Sequence, residues 1–145
     1  SFTRIMGPLF GLVSQWSPDG ARALVSSTNA AGKNLALTVH DAAGKQTARM
    51  DFQTIASKCA WPDAKEFYCA VPRLIPAPTV LPDEYLSGEF NSSDQIVRVD
   101  AASGKTEIVF DEENFDISDV LVSKNKNYLF FVNRRDGTLW SLKLR

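Results

Sequence analysis

The sequence holds little of the chemistry that enzymes and metal sites require. It has one histidine, His40, and two cysteines, Cys59 and Cys69, among 145 residues. One histidine cannot supply a histidine-rich metal site, and two cysteines alone do not make a structural zinc site. The acidic stretch 111–116 matches no calcium loop, and no nucleophile elbow or glycine-rich phosphate loop occurs. We therefore expect a protein that is not an enzyme and that uses no cofactor and no metal.

The chain also lacks an excess of one charge and a long apolar run. Sixteen basic and seventeen acidic residues give a net charge of -1. Nucleic-acid binding depends on clustered Lys and Arg that neutralise phosphates, so nucleic acid is not the expected partner. No window approaches the roughly 18 consecutive apolar residues of a membrane span, and no signal peptide is visible. Because the sequence begins at Ser1, a signal or anchor could belong to a missing N-terminal segment.

The two cysteines flank a short turn sequence, residues 61–65. A hairpin turn centred near Ala64 would place Cys59 and Cys69 opposite each other, within range of a disulfide. A register slip of one residue would put them on opposite faces, and the alternative is two buried free thiols that pack as small apolar side chains. A disulfide would indicate an extracytoplasmic location, either periplasmic, secreted or membrane-anchored.

A repeated unit of strands and turns runs through the sequence. Residues 12–20 and 57–64 each combine an apolar strand with a Pro/Asp turn, and a second apolar strand follows; the two tryptophans, Trp16 and Trp61, lie 45 residues apart. Residues 120–132 form a weaker third copy. A second repeat matches residues 35–45 with 95–105, each an alternating strand that enters an Asp/Ala/Gly/Lys turn.

Four strands in about 45 residues match the size and content of a β-propeller blade. We therefore predict an all-β fold of about three four-stranded antiparallel blades, in one domain over residues 1–145. Residues 1–10 are expected to be the outer strand of a neighbouring blade, 11–54 blade one, 55–114 blade two and 115–145 blade three without its outer strand. A β-sandwich is the alternative, but it would not predict repeated turn sequences at this spacing.

The sequence Trp16-Ser17-Pro18-Asp19-Gly20 resembles the WD-like repeat of the TolB-type propellers, whose blades carry this turn between their first two strands. Blade two matches in part, and blade three is degenerate. The resemblance implies a bacterial envelope propeller; such blades occur in translocation accessory proteins, in peptidase propellers and in uncharacterised envelope proteins. Pro18 presets φ, Asp19 accepts bonds from local N–H groups and Gly20 adopts a positive φ.

The tryptophans of the repeats are predicted to have structural roles. We expect Trp16 and Trp61 to pack between neighbouring blades, and Trp140 of the third unit to be structural as well. Contact with a ligand is the alternative for Trp16 and Trp61.

Three blades are fewer than the four to eight of closed propellers. Either the chain is the C-terminal part of a longer propeller, or two chains pair into a six-bladed ring in which each N-terminal strand completes the third blade of the other. We favour the longer propeller, with self-association as a homo-oligomer where the blades are left open.

An insertion at residues 72–94 interrupts blade two, and its four prolines predict a long loop. Long loops in compact domains are usually functional or disordered. The loop provides the best candidate binding site for a protein or peptide, with the residues Arg73, Leu81, Asp83, Glu84, Tyr85, Glu89 and Phe90. Leu81, Tyr85, Leu86 and Phe90 are expected to be exposed; the alternative is that they pack the loop onto its own blade.

The predicted function is that of a non-catalytic propeller scaffold or interaction module, which binds protein or peptide through its loop-rich face. Two alternatives stay open. The chain could be an accessory propeller of a larger enzyme such as a peptidase, or a self-assembling half-propeller without a ligand.

Overall fold

Alternating apolar strands and polar turns form eleven β-strands in a computed structural model that describes residues 1–145. The strands are β1 Phe10–Trp16, β2 Arg22–Thr28, β3 Ala36–Asp41, β4 Gln46–Arg49, β5 Cys59–Ala60, β6 Glu66–Pro72, β7 Asp94–Asp100, β8 Thr106–Phe110, β9 Ile117–Val122, β10 Tyr128–Asn133 and β11 Thr138–Lys143. One short helix, α1, spans Asp83–Ser87, and a 3-10 turn spans Ala56–Lys58. No helix has the length and apolar character needed to cross a membrane.

The strands make three antiparallel sheets, each in the order of the chain. The first sheet is β1-β2-β3-β4, the second is β5-β6-β7-β8, and the third is β9-β10-β11. The second sheet therefore has the insertion 72–94 between β6 and β7. The third sheet has three strands where the others have four, and β11 is one of its two edge strands. The prediction of an all-β fold is confirmed.

The turns between the first two strands of the first and third sheets are held by local hydrogen bonds. The Asp19 carboxylate accepts hydrogen bonds from Ser17 Oγ at 2.7 Å and from the Ala21 amide at 3.1 Å. Gly20 follows at φ 69°, a conformation that glycine adopts without strain. The Ser17 amide then donates to the Arg22 carbonyl at 2.9 Å, and Ser123 makes the same bond to Tyr128 in the third sheet. These turns set equivalent registers in the first and third sheets.

Two apolar layers lie between the sheets. Leu24, Leu37 and Val39 of the first sheet pack with Phe67 and Val97 of the second. On the opposite face of the second sheet lie three side chains that pack with the third sheet: Tyr68, Ala70 and Ile96. The second sheet is thus covered on both faces, because neighbouring residues of a strand point to opposite sides.

Cys59 and Cys69 pair across β5 and β6 and form a disulfide, with their Cα atoms 4.0 Å apart. Both cysteines are buried between the first and second sheets.

Within the single chain the N-terminal segment is not a strand, and its role as the outer strand of a neighbouring blade stays a prediction. Strand β1 begins at Phe10, and residues 1–9 form no strand and no backbone hydrogen bond. The segment instead runs past the β3–β4 turn, where a Cβ on Gly44 would lie 1.9 Å from the Ile5 carbonyl oxygen. The segment crosses this turn without pairing with the edge strand β4.

Candidate functional site

The insertion 72–94 is fixed to the first and third sheets. On the first sheet, the Leu81 amide donates to the Gly32 carbonyl at 3.0 Å, and Lys33 Nζ donates to the carbonyl oxygens of Ala77 and Thr79 at 2.9 and 2.8 Å. On the other side, Arg134 donates to the Tyr85 carbonyl at 2.7 Å. The loop therefore crosses one end of the stack of sheets and ties the outer two sheets together.

The apolar residues of this loop are buried, which corrects the expectation that they are exposed. Leu81, Tyr85 and Phe90 join Leu35 and Ile55 in a third apolar cluster. The loop gains its own small core because helix α1 turns Tyr85 inward. Leu86 alone of the four is exposed. Leu81, Tyr85 and Phe90 are consequently not available to contact a partner.

The charged residues of the predicted site divide into two groups. Arg73 forms an ion pair with Asp111 at 2.7 Å and donates to Ser93 Oγ at 2.6 Å, so it holds the loop in place. Glu84 accepts a hydrogen bond from the Val80 amide and stabilises the start of α1. Asp83 and Glu89 are exposed.

A polar cleft of about 480 Å³ borders the loop, lined by Arg73, Glu84, Glu89, Asn91, Ser93 and Arg135. It is the part of the predicted site that remains open to solvent. Arg135 donates to the Ser92 carbonyl at 2.7 Å and forms one wall. No apolar anchor lines the cleft beyond Leu74, Pro76 and the buried Phe90.

Beneath the loop lies a group of buried charges that the sequence did not predict. Lys58 Nζ lies 2.7 Å from Asp94 Oδ2 and 3.3 Å from Asp116 Oδ1, and all three side chains are almost completely buried. Ser92 Oγ bridges the group, since it accepts from Lys58 at 2.9 Å and donates to Asp116 at 3.0 Å. Asp94 also accepts from the Ile117 amide at 2.8 Å. The group joins the 3-10 turn, the loop and the third sheet.

Tyr85 closes this group from above. Its ring centroid lies 5.1 Å from Lys58 Nζ and 3.9 Å from the Arg134 guanidinium carbon. Burial raises the pKa of the Tyr85 hydroxyl, although the neighbouring Arg134 acts to lower it. Asp116 Oδ2 and Arg134 Nη1 face each other at 3.7 Å, too far for a hydrogen bond. Because Tyr85 covers these charges, they are closed off from solvent. The buried charges therefore hold the loop against the third sheet.

No local signal in the sequence marks Lys58, Asp94 or Asp116. Each lies just before or at the start of a strand, where charged residues are common in solvated turns. Their burial comes from the loop that covers them, and this depends on contacts between distant segments.

His40 lies inside the first sheet and contacts neighbours on its own sheet. Its Nε2 lies 2.8 Å from Thr38 Oγ1, and its Nδ1 lies 3.1 Å from the Gly44 carbonyl oxygen. Both ring nitrogens therefore have structural partners.

The two end faces of the stack carry exposed apolar side chains. The outward face of the third sheet presents Leu121, Tyr128 and Leu139, with Leu121 62% and Leu139 75% exposed. The outward face of the first sheet presents Leu12 and Trp16, on the side opposite Leu24. We call these the third-sheet face and the first-sheet face. Contiguous apolar patches of this kind mark contact surfaces in soluble proteins.

Trp16 and Trp61 show how the end faces differ from the interior. Trp61 packs on Phe67 at 4.8 Å between ring centroids, in the layer against the first sheet. Trp16 has the equivalent place on the first sheet, but no sheet covers it, and it is 42% exposed. The expected packing between sheets is thus found at Trp61, and it is wrong for Trp16 in the single chain.

The free edge of β11 borders a second cleft, of about 310 Å³, which we call the aromatic cleft. Its walls include Phe110, Glu113, Phe115, Trp140 and Leu142. The Phe115 ring lies 4.9 Å from Trp140 and 6.0 Å from Phe110. Trp140 is about half-exposed, and its Nε1 donates to Thr138 Oγ1 at 2.6 Å. Trp140 therefore has a structural contact but also faces an open cleft.

Comparison with known proteins shows a likeness of fold alone. No family model matches the sequence, and no curated protein matches it. Among solved structures, the chain is similar to one titled Kuenenia stuttgartiensis Hydrazine Synthase, with a TM-score of 0.59 and 15% sequence identity. The match covers 90% of this chain and 39% of that chain. At this identity, the arrangement of strands is shared, and nothing about activity follows.

Proposed function

We propose that this chain is a segment of a β-propeller and works as a non-catalytic interaction module whose partner is protein. Its three sheets act as blades, and its end faces are the contact surfaces. The partner we assign to these faces is a second copy of the chain.

The observation that carries the proposal is that exposed residues of the end faces have buried equivalents inside the chain. Three cross-strand pairs occupy the same place in the three sheets: Gln15 with Leu24, Ala60 with Tyr68, and Leu121 with Phe130. Leu24 faces the second sheet and Tyr68 faces the third, both fully buried. The third pair lies on the third-sheet face, where the chain provides no cover.

The first-sheet face supports a second copy as the partner. Trp16 with Ala23 is equivalent to Trp61 with Phe67, the pair that receives the first sheet in the interior. Contact between the third-sheet face of one copy and the first-sheet face of another would therefore repeat the internal packing. Two copies would supply six sheets, a number within the four to eight of closed propellers.

The disulfide supports the proposed compartment. Cys59 and Cys69 are bonded and buried, and disulfides persist in oxidising environments. The bond supports an extracytoplasmic location.

A second candidate is an accessory domain within a longer protein, in which further blades of the same polypeptide cover the end faces. The coverage of 39% of a larger chain supports it, because this arrangement of strands occurs there as a part of a longer polypeptide.

Light scattering on a sizing column separates these candidates. For self-association, we expect a mass twice the 16.0 kDa of the chain. Leu121→Lys places a charge on the third-sheet face and should return the protein to a monomer. Ile108→Lys is the matched control, since Ile108 is equally exposed but lies on the outer strand of the second sheet. A monomer at all concentrations would reject the second copy and favour the accessory domain.

A further inference from the structure

We infer that residues 1–4 of a second copy add to the free edge of β11 as its fourth strand and that Phe2 enters the aromatic cleft. The inference rests on the proposed contact between copies and identifies the segment that crosses it.

Strand count and the repeat interval both point to this segment. The third sheet has three strands and ends at β11, whereas the other two have four. The outermost strand of the first sheet, β4, spans Gln46–Arg49. The interval of 45 residues that separates Trp16 from Trp61 also separates residues 1–4 from β4. Residues 1–4 thus occupy the place of an outermost strand in the repeat.

The segment has no strand partner in its own chain. Residues 1–9 make no backbone hydrogen bond, and Phe2 is fully exposed. A free strand edge such as β11 presents unpaired N–H and C=O groups, which an extended peptide can satisfy by strand addition. The donor groups and the acceptor edge are therefore both present in one sequence.

The order in which one sheet connects to the next is consistent with residues 1–4 as an outermost strand. In this chain an outermost strand leads into the innermost strand of the following sheet, as β4 leads to β5 and β8 leads to β9. Residues 1–9 lead into β1, the innermost strand of the first sheet. Suppose that the first-sheet face of one copy covers the third-sheet face of another. The segment that precedes β1 in the first copy then lies beside the third sheet of the other copy, which lacks a fourth strand.

The register follows from the first sheet. There, Ala48 of β4 pairs with Val39, and Arg49 pairs with Thr38. The equivalents of Val39 and Thr38 in the third sheet are Ser141 and Trp140, because Ser141 pairs with Phe130 as Val39 pairs with Leu24. Thr3 of the second copy would thus lie opposite Ser141, and Arg4 opposite Trp140.

This register directs the side chains. Arg4 and Phe2 share the face of Trp140, so Phe2 meets the aromatic cleft formed with Phe115. Glu113, at the rim of the cleft, is exposed and acidic and suits the charge of Arg4. Ile5 lies 45 residues before Met50, so it is the equivalent of Met50 in the repeat. Met50 is buried between its own sheet and the next one. In agreement, Ile5 already lies against the Gly44 turn of its own first sheet.

A cross-link between two single variants tests the register. Chains that carry Thr3→Cys are mixed with chains that carry Ser141→Cys under oxidising conditions. Opposed residues on neighbouring strands lie within disulfide range, so a covalent dimer is expected. The matched control replaces Ser141→Cys with Lys124→Cys, an exposed residue of the β9–β10 turn, and should give no covalent dimer.

Phe2→Asp tests the cleft in solution. Loss of a buried phenyl ring should raise the dissociation constant of the dimer at least about tenfold, measured by light scattering over a dilution series. Leu86→Asp is the control, because Leu86 is a similarly exposed apolar residue on helix α1. Since Phe2 and Leu86 touch little in the single chain, neither variant should unfold it.

The outcomes separate this inference from the proposed function. Cross-linking at Ser141 but not at Lys124, together with weaker association of Phe2→Asp, supports strand addition. A dimer that depends on Leu121, gives no Thr3–Ser141 cross-link and tolerates Phe2→Asp would overturn strand addition and leave the contact between end faces intact. A monomer at every concentration would overturn both.

Discussion

The indole Nε1 of Trp61 donates a hydrogen bond of 3.1 Å to the carbonyl oxygen of Gln15, and this bond crosses from the second sheet to the first. Trp61 therefore contributes both apolar contact and a polar contact to the first layer of the core. Trp16 lies at the equivalent position of the repeat, and its outer side meets solvent. The same residue type thus has two different energetic roles in one chain.

Alanine substitutions should separate these roles. Trp61→Ala should lower the free energy of unfolding by about 3 kcal/mol, because it leaves a cavity beside Phe67 and an unsatisfied Gln15 carbonyl. Trp16→Ala should cost less than about 1 kcal/mol in the monomer. Denaturant unfolding at a protein concentration below dimerisation measures both. Equal losses would mean that a further segment already covers Trp16.

The buried group around Lys58 predicts a second large effect. Lys58→Met removes the cation that lies against Asp94 and Asp116 and leaves two carboxylates inside the protein. Breaking a buried ion pair from one side typically costs about 3–5 kcal/mol. We expect a loss of this size in urea unfolding, together with faster amide hydrogen exchange in the loop 72–94.

A triple variant provides the control for that prediction. Lys58→Met with Asp94→Asn and Asp116→Asn removes the cation and both negative charges together. It should recover more than half of the lost stability, because neutral amides are far less costly to bury than carboxylates. A triple variant as unstable as Lys58→Met alone would show that packing of the lysine side chain, and not its charge, is what matters.

Features of this chain that depend on residues close in sequence could be predicted, and features that depend on distant segments could not. Strands, turns and the opposition of Cys59 to Cys69 could be predicted, since alternation and turn chemistry act between residues close in sequence. The loop was predicted at the right place, but its buried face was not. Its burial depends on partners far along the chain, such as Gly32 for Leu81 and Arg134 for Tyr85.

The N-terminal segment and Trp16 depend on neighbouring sheets in the same way. Residues 1–10 carry the spacing of an outer strand, but a strand needs a free edge beside it, and no sequence pattern reports which edge is near. Trp16 carries the motif of a packed tryptophan, yet packing requires a covering sheet. The local sequence pattern therefore predicts which residues are suited to packing or strand pairing. Whether they are packed or paired depends on which other segments the fold places beside them.

Two equivalent turns test the position of the N-terminal segment. Gly44 and Gly104 both have positive φ, at 90° and 73°, in matching turns of the first and second sheets. Gly104→Ala should cost about 1 kcal/mol from backbone strain alone, since nothing lies near its Cβ position. Gly44→Ala adds a steric conflict with the Ile5 carbonyl oxygen and should displace residues 1–9.

Limited proteolysis and denaturant unfolding measure that difference. We expect Gly44→Ala to lose more stability than Gly104→Ala and to be cut faster near Arg4 by trypsin. Equal behaviour of the two variants would contradict close contact between the segment and the β3–β4 turn.

An ion pair between the second and third sheets predicts a dependence on pH. Lys126 Nζ lies 2.6 Å from Asp63 Oδ2 and 3.1 Å from Glu66 Oε1. Partial burial acts to raise the pKa of Asp63, but the hydrogen bonds from Lys126 and from the Lys65 and Glu66 amides lower it overall. The hydrogen bond to Asp63 raises the pKa of Lys126, against a smaller effect of burial.

The sign of each shift sets the pH window of the pair. A carboxylate whose pKa is lowered by folding adds stability above its unfolded pKa of 3.8, and this is lost as the pH falls through the folded value. A lysine whose pKa is raised adds stability below its unfolded pKa of 10.5, and this is lost as the pH rises through the folded value. The pair should therefore stabilise the protein between about pH 4 and pH 10.

Lys126→Met measures this contribution, with Lys124→Met as the control in the same turn. Because the pair lies at the surface and is only partly buried, we expect a loss below about 1 kcal/mol at neutral pH. The difference in melting temperature between Lys126→Met and the parent should be largest near pH 7 and should shrink toward pH 2.5 and toward pH 11.5. Lys124 has no ion pair, so its variant should follow the parent at each pH. A difference for Lys126→Met that stays constant from acid to alkali would assign the effect to packing across the two sheets and not to charge.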